Sequence, residues 1–182
     1  MNSNRSWLIV LVLVLPGLVF TGCRGGAEEQ TLTEPESGFS MTIPTGWKIG
    51  RPDWSGRKKY VPAAKARNCF ASADQSYPLG AVRTFPLSDS SSLAEYVHLP
   101  GGLHGQLVSE QPVLVCGYEA IEVIGTGFGE DKTAVKGIYR YIHKDNRVIV
   151  ASFLTTAEQF AELEPVFRQS LGTITFEPAK NK

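Results

Sequence analysis

The sequence has no excess of either charge, because 18 Lys and Arg residues balance 18 Asp and Glu residues. General nucleic-acid binders are strongly basic, so this balance argues against that class of function. The chain also lacks a hydrophobic run long enough to cross a bilayer. Its longest run, Trp7–Phe20, has 14 residues and contains Pro16, whereas a span through hydrocarbon needs about 20 apolar residues.

The short apolar run matches the core of a signal peptide instead. Arg5 and the amino terminus supply the positive flank that precedes such a core. The alternatives are a buried N-terminal helix and a membrane anchor. We predict that residues 1–22 are a signal peptide that is removed on export.

Cysteine is scarce, and one of the three cysteines directly follows this run. The residues Phe20, Thr21, Gly22 and Cys23 resemble the bacterial lipobox, in which small residues precede an obligatory cysteine. The resemblance implies diacylglycerol transfer to the Cys23 sulfur, cleavage after Gly22 and acylation of the new amino terminus. Two or more acyl chains anchor a protein stably, whereas one binds reversibly. The alternative is a plain secretory signal followed by an incidental cysteine.

The match departs slightly from the commonest lipobox, which has Leu in place of Phe20 and Ala or Ser in place of Thr21. Arg24 follows the cysteine. In enteric lipoproteins an Asp there signals retention in the inner membrane, so Arg24 would imply delivery to the outer membrane. We predict a membrane-anchored lipoprotein of the bacterial cell envelope, facing the periplasm or the exterior.

A folded domain is predicted after a tether. Residues 23–37 lack hydrophobic periodicity and are predicted to be the lipidated N terminus and a flexible tether. From Gly38 onward, Phe39, Met41 and Ile43 alternate with small polar residues, as in a half-buried strand. Residues 38–178 are predicted to form a single globular domain.

Strands and helices of this domain follow from its apolar patterns. Strands are predicted at 81–87, 105–110, 118–127, 134–144, 147–156 and 173–176. Residues 147–154 are nearly all apolar, which is typical of a central strand covered on both sides. Serine and aspartate at 88–92 offer caps for a short helix.

The clearest predicted helix lies in residues 155–172. Its apolar residues recur at helical spacing, so one face is expected to pack on the sheet. Pro165 lies inside it and is expected to kink it. A capping box is predicted at its start, from Thr155 with Glu158 or from Thr156 with Gln159.

This order of elements resembles the PsbP-like superfamily, which includes a photosystem subunit, the DcrB-like bacterial lipoproteins and a Ran-binding branch. The best stretches are residues 38–47 and 137–171. The resemblance, closest to the DcrB-like lipoprotein branch, implies an α/β (α+β) fold, with a central antiparallel β-sheet and helices packed on both faces. Because members act mostly as assembly factors or binding proteins, it implies architecture rather than chemistry.

Cys69 and Cys116 remain once Cys23 is acylated. An exported compartment permits disulfides, so a disulfide between these two residues is one expectation. The other is a pair of buried free thiols that pack as small hydrophobic groups.

Residues 51–67 carry the one marked charge asymmetry of the chain. Their six basic side chains face a single acidic residue, Asp53, and two aromatic residues are interleaved. Near a lipid anchor such a segment would attract anionic headgroups by about 1 kcal/mol per charge. The alternative is a solvated loop. The basic residues are Arg51, Arg57, Lys58, Lys59, Lys65 and Arg67.

No catalytic set of residues is visible, and we assign no metal and no cofactor. His98 and His104 flank a Gly-rich turn, but zinc sites have tighter spacing and further ligands. The Gly-rich residues 125–131 precede a strand rather than a helix, so we predict a hairpin turn and no phosphate loop. The leading prediction is a non-enzymatic binding or assembly protein with the membrane and an unknown envelope protein or polymer as partners. The alternative is a metal-handling or hydrolytic envelope enzyme that uses His98, His104 or His143.

Overall fold

The fold is described from a computed structural model. It describes residues 29–35, 37–49, 68–72, 77–87, 91–99, 104–129 and 132–177. The signal peptide predicted at 1–22, Cys23 and the six basic residues between Arg51 and Arg67 lie outside the described residues.

Ten strands and two helices make up the described part of the chain. They form a small sheet of three strands and a large sheet of seven. In chain order the elements are β1 (Thr31–Glu34), β2 (Phe39–Thr42), β3 (Trp47–Ile49), β4 (Asn68–Ser72), β5 (Leu79–Pro86), α1 (Leu93–Val97), β6 (Gln106–Val115), β7 (Tyr118–Phe128), β8 (Ala134–Lys144), β9 (Arg147–Thr156), α2 (Phe160–Gly172) and β10 (Thr175–Phe176).

The large sheet has the order β3-β4-β5-β9-β8-β7-β6, and every neighbouring pair is antiparallel. β9 lies between β5 and β8, and its residues from Val148 to Phe153 are all buried. The sequence prediction of a covered central strand is therefore confirmed. The β8–β9 turn is tight because Asp145 and Asn146 both have positive φ, as two-residue hairpins favour.

The small sheet, ordered β1-β2-β10, begins earlier than the sequence predicts. β1 pairs with β2 along its whole length, and the backbone N–H of Ile43 donates to the carbonyl of Gln30 at 3.0 Å. The prediction that residues 23–37 form a flexible tether is therefore wrong for 31–34. Periodicity misses β1 because Leu32 is its only apolar residue, although that side chain is buried.

The main core lies between α2, the small sheet and the large sheet. Phe160, Phe167 and Leu171 on one side of α2 pack with Ile138 of β8 and Phe153 of β9. The rings of Phe167 and Phe153 stack with centroids 4.9 Å apart. Burying each such side chain contributes about 1.5–3 kcal/mol to folding.

A second core lies between α1 and the opposite surface of the large sheet. Leu93 and Val97 of α1 pack with Val123, Tyr141 and Val150. Successive strand residues point to opposite faces, so this core is separate from the one at α2. We name the two surfaces of the large sheet the α1 face and the α2 face.

The start of α1 is capped as the serine-rich segment predicts. The backbone N–H of Glu95 donates to the Ser92 hydroxyl at 3.1 Å, and the backbone N–H of Ser92 donates to the Glu95 carboxylate at 2.8 Å. These two bonds form a capping box, which satisfies two donors at the helix start.

The start of α2 differs from the prediction. The helix begins at Phe160, with Gln159 as its N-cap and no side-chain capping bond. The Thr156 hydroxyl does accept a bond from the backbone N–H of Gln159, at 3.4 Å, but within the preceding turn. Pro165 lies inside the helix, as predicted.

The predicted central antiparallel sheet is confirmed. The prediction of an α/β fold with helices packed on both faces is confirmed only in part. The described residues are mostly strand, with few helices. The two helices among them have five and 13 residues. Neither is long and apolar enough to cross a membrane within this part of the chain.

Candidate functional site

The two remaining cysteines lie far apart in the large sheet. Cys69 pairs with Ala81 of β5, whereas Cys116 lies in the β6–β7 turn. Four strand spacings of about 4.8 Å separate β4 from β7, or about 19 Å, whereas a disulfide needs Cα atoms within about 7 Å. Cys116 is an exposed free thiol whose Sγ donates to the carbonyl of Ile174 at 3.2 Å. The expected Cys69–Cys116 disulfide is therefore not formed.

The three histidines occupy different surroundings. His98 ends α1, and its Nε2 lies 3.1 Å from a Glu110 carboxylate oxygen of β6. His143 lies in β8, and its Nδ1 is 3.9 Å from a Glu119 carboxylate oxygen. The described residues contain no group of three His, Cys, Asp or Glu side chains arranged to hold a metal ion.

His104 is buried on the α1 face. Its Nδ1 lies 3.0 Å from the Tyr141 hydroxyl. Burial lowers the pKa of His104, and the nearby His98 lowers it further, while Glu110 raises it. Because the neutral imidazole is favoured, His104 is suited to hold the Tyr141 hydroxyl in one orientation.

Glycine permits the close approach of the His104 backbone to β7. A Cβ atom at Gly125 would lie 2.0 Å from the His104 carbonyl oxygen, and one at Gly105 would lie 2.4 Å from the Thr126 carbonyl oxygen. No larger residue fits at either position without moving the backbone. Gly125 therefore serves packing within β7, and the hairpin turn predicted at 125–131 begins only after Phe128.

Two tyrosine rings meet His104 edge-on, with centroid distances of 6.2 Å to Tyr139 and 6.1 Å to Tyr141. The rings of Tyr139 and Tyr141 stack with centroids 6.5 Å apart, and Tyr96 of α1 meets Tyr141 edge-on at 6.3 Å. Burial raises the pKa of Tyr139 and of Tyr141. Their hydroxyls are consequently neutral at physiological pH and serve as hydrogen-bond donors or acceptors, rather than as bases.

Arg83 of β5 completes this group of side chains. It lies opposite Val150, which lies opposite Tyr141, so Arg83 and Tyr141 share the α1 face. The Arg83 Nε is shielded from solvent and has no hydrogen-bond partner in the described part of the chain. We name Arg83, Tyr96, His104, Tyr139 and Tyr141 the tyrosine–arginine cluster.

A charged network occupies the α2 face. Glu122 of β7 is buried and accepts hydrogen bonds from Arg140 of β8 and Arg168 of α2. Gln111 of β6 donates to the same carboxylate at 2.9 Å, and Arg168 also donates to Glu164 at 2.8 Å. The network thereby joins three strands and a helix.

Opposing effects act on the pKa of Glu122. Burial raises it, but the hydrogen bonds and charges of Arg140 and Arg168 outweigh burial and hold it below its ordinary value. Two cations face two carboxylates, those of Glu122 and Glu164, so the network is neutral overall. We interpret it as an anchor for α2.

β6 forms one edge of the large sheet and is largely exposed. Leu114 and Val108 are 78% and 54% exposed. Pro112 removes one backbone donor, and an irregularity between Leu107 and Ser109 breaks the regular pairing with β7. Both features limit pairing of an edge strand with other chains.

Comparisons with known proteins bear on the fold. No family model matches the sequence, and no curated protein matches it. The solution structure of the cyanobacterial PsbP (CyanoP) from Synechocystis does match, with a TM-score of 0.61 over 91% of this chain and 99% of that one. This chain has the PsbP-like fold. The two sequences are 12% identical, so the match concerns fold alone.

Two further structures share the PsbP-like fold with this chain. LpqN, described as involved in cell envelope biogenesis of Mycobacterium tuberculosis, has a TM-score of 0.57 and 10% identity, over 83% of this chain and 91% of LpqN. A Bacteroides thetaiotaomicron protein has a TM-score of 0.54 and 13% identity, over 85% of this chain. This chain spans half the length of that protein.

Sequence reasoning missed both side-chain groups. The signals were present, since Arg83 interrupts an apolar strand that contains no acidic residue. Likewise, Glu122 and Arg140 are charged residues within apolar strands, and they lie directly opposite each other in the sheet. The pattern of one strand does not reveal such a pair, because the pair forms only in a particular register between two strands.

Proposed function

We propose that this chain is a lipid-anchored, extracytoplasmic protein of the bacterial envelope that binds or assembles a partner and performs no catalysis. The observation that carries the proposal is the tetrapeptide Phe20–Cys23, which directly follows a 14-residue apolar run. A lipid-modified cysteine at that point would place the folded domain outside the cytoplasm.

The PsbP-like fold supports this role by analogy. LpqN, which shares the fold, is described as involved in cell envelope biogenesis. Because this chain and LpqN are only 10% identical, the analogy concerns their architecture. One fold hosts many different functions. Membership of the DcrB-like lipoprotein branch is part of this proposal, and the N-terminal sequence together with the fold supports it.

The short linker also suits a protein that works close to a membrane. Gln30 is already held by its hydrogen bond from Ile43. Seven residue steps separate Cys23 from Gln30, and an extended chain covers about 25 Å in that number of steps. Gln30, at the edge of the folded domain, would therefore stay within about 25 Å of the anchor.

Membrane fractionation of point variants tests the proposal. Wild-type protein and Cys116→Ser are expected in the membrane fraction, where detergent but not high salt releases them. Cys23→Ser is expected to remain unprocessed or to leave the membrane after processing. Cys116→Ser is a matched control because its thiol is exposed and unbridged. Equal membrane retention of all three processed proteins would contradict a lipid anchor at Cys23.

Metal analysis separates the binding role from the alternative of a histidine-based metal enzyme. Protein purified without chelator is expected to contain no stoichiometric zinc, iron or manganese. One bound metal ion per chain, lost in His98→Asn or His104→Asn, would favour the metal-handling alternative.

A further inference from the structure

Among the described residues, Arg83 has no carboxylate partner for its charge. Its Nε is shielded from solvent and unpaired, and no carboxylate forms an ion pair with it in the described part of the chain. The residue as a whole is only partly buried, so its side chain is open to solvent elsewhere. Shielded donors are nearly always paired in proteins, with protein groups, water or a bound ion. The unpaired Nε is therefore available to donate a hydrogen bond to a water or a bound anion.

Hydrogen-bond donors stand beside Arg83 on the α1 face. Tyr139 is 5% exposed, and its hydroxyl forms no hydrogen bond with the described residues. Its ring stacks on that of Tyr141. Tyr139 lies opposite Ser152, which lies opposite Ala81, so Tyr139 and Arg83 are one same-face position apart across β9 on the α1 face. The charge of Arg83 accordingly lowers the pKa of both tyrosines, against the larger effect of burial.

His104 limits the freedom of these hydroxyls. Its Nδ1 lies 3.0 Å from the Tyr141 hydroxyl, and the tight packing at Gly125 holds its backbone against β7. Tyr141 is thus fixed by its own partner, whereas Tyr139 and Arg83 remain open to a ligand. Phe85 and Tyr96, whose ring centroids are 6.0 Å apart, add aromatic surface nearby.

We infer that Arg83 and Tyr139 form a binding site for a small anionic group, a carboxylate or a phosphate. A guanidinium fork pairs with two oxygens of either group at once, and a tyrosine hydroxyl donates to a third position. The aromatic rings would contact the uncharged body of such a ligand. This site goes beyond the proposed function, and it stands or falls independently of lipid modification at Cys23.

Anion titration of soluble protein tests the site. Residues 24–182 include every described strand and helix, so this chain is suitable without its anchor. Sodium phosphate and sodium acetate are titrated separately, with sodium chloride at equal ionic strength as the blank. We follow the Tm and the Nε–Hε resonance of Arg83 in 15N-edited NMR spectra. At least one anion is expected to raise the Tm and shift that resonance saturably, and the more effective one identifies the ligand class.

Point variants connect the response to the two residues. Arg83→Met is expected to abolish the Tm response, and Tyr139→Phe to weaken the affinity about tenfold, as loss of one charge-assisted hydrogen bond does. Arg83→Lys keeps the charge without the fork and is expected to bind more weakly than wild type. Arg147→Met removes an exposed cation at the start of β9 and should respond as wild type does.

Three results would overturn the inference. One is a wild-type protein that responds to neither anion beyond the chloride blank. Another is an anion-dependent rise in Tm that is as large in Arg83→Met as in wild type. If Arg83→Met does not fold, the same result in Arg83→Lys would overturn the inference. The third is an equal loss of response in Arg147→Met, which would indicate screening of general surface charge.

Discussion

Glu122 and His104 are buried ionisable residues on opposite faces of the large sheet, and they connect its stability to pH. Glu122 is ionised between two arginines, whereas His104 is neutral beside Tyr141. Neither role could be predicted from the sequence, because each depends on the residue across the neighbouring strand or turn. The sequence does show Glu122 within an apolar strand, whereas His104 follows a Gly-rich turn and its burial is not apparent.

Removal of the Glu122 charge should be strongly destabilising. Glu122→Gln leaves Arg140 and Arg168 without their shared carboxylate, and loss of one partner from a buried ion pair typically costs about 3–5 kcal/mol. Thermal unfolding should show a Tm lower by roughly 10 °C for a chain of this size. Glu119→Gln, on the same strand but exposed, is the control and should change the Tm by only about 1–2 °C. Similar Tm values for the two variants would contradict the anchoring role of the network.

Acid should destabilise the fold in two steps. The pKa values of His104 and Glu122 are both lower in the folded than in the unfolded chain. A group with a lowered folded pKa stabilises the protein above its unfolded pKa, and that contribution is lost as the pH falls towards the folded pKa. The free energy of unfolding should therefore decline below about pH 6.5 through His104 and again below about pH 4.5 through Glu122.

Urea unfolding at a series of pH values measures this decline. His104→Asn should flatten the upper step, whereas His143→Asn, at a partly exposed position, should leave it unchanged. A wild-type free energy of unfolding that stays constant from pH 7 to pH 4 would contradict the assignment.

At the scale of single elements, the sequence predicts most accurately where alternation is long and turns are marked. The bounds of β8 and β9 match the predictions because Asp145 and Asn146 terminate two sustained apolar strands. β6 extends five residues beyond its predicted end at Glu110, since pairing with β7 continues to Val115. The sequence does not predict β1, and it places the start of α2 too early, because pairing with β2 and the turn before Phe160 have no apolar signature.

α2 depends on Phe167 for its attachment to the sheet. Phe167 is fully buried, stacks on Phe153 and meets Trp47 edge-on at 6.2 Å. Phe167→Ala should lower the free energy of unfolding by about 3–5 kcal/mol, because it removes this contact and leaves a cavity. Val166→Ala, its partly exposed neighbour, should cost less than about 1 kcal/mol. Unchanged stability of Phe167→Ala with loss of partner binding would show that this face is an interface instead.

For the whole molecule, neutrality conceals an uneven distribution of charge. Residues 51–67 hold six of the 18 basic and one of the 18 acidic side chains, so the rest of the chain is acidic by five charges. An acidic body would be repelled by an anionic surface, whereas the basic segment would be attracted to it. The basic segment itself lies outside the described residues. The contrast in charge predicts that this segment, rather than the rest of the domain, faces an anionic membrane.

The basic segment should bind anionic vesicles in a salt-sensitive way. The protein of residues 24–182 is expected to co-sediment with anionic vesicles at 0.1 M salt, where the Debye length is about 10 Å, and to dissociate at 1 M, where it is about 3 Å. The triple variant Arg57→Ala, Lys58→Ala, Lys59→Ala should bind less while its Tm is unchanged. Equal binding by both proteins would show that this segment is only a solvated loop.

The central claim concerns the N terminus, and mass spectrometry of the mature protein tests it most directly. Protein extracted from membranes with detergent is digested, and its N-terminal peptide is sequenced by fragmentation. The account predicts a mature chain that starts at Cys23, with diacylglyceryl on the sulfur and an acyl group on the amino nitrogen. A mature chain that starts at any other residue, or an unmodified Cys23, would contradict it.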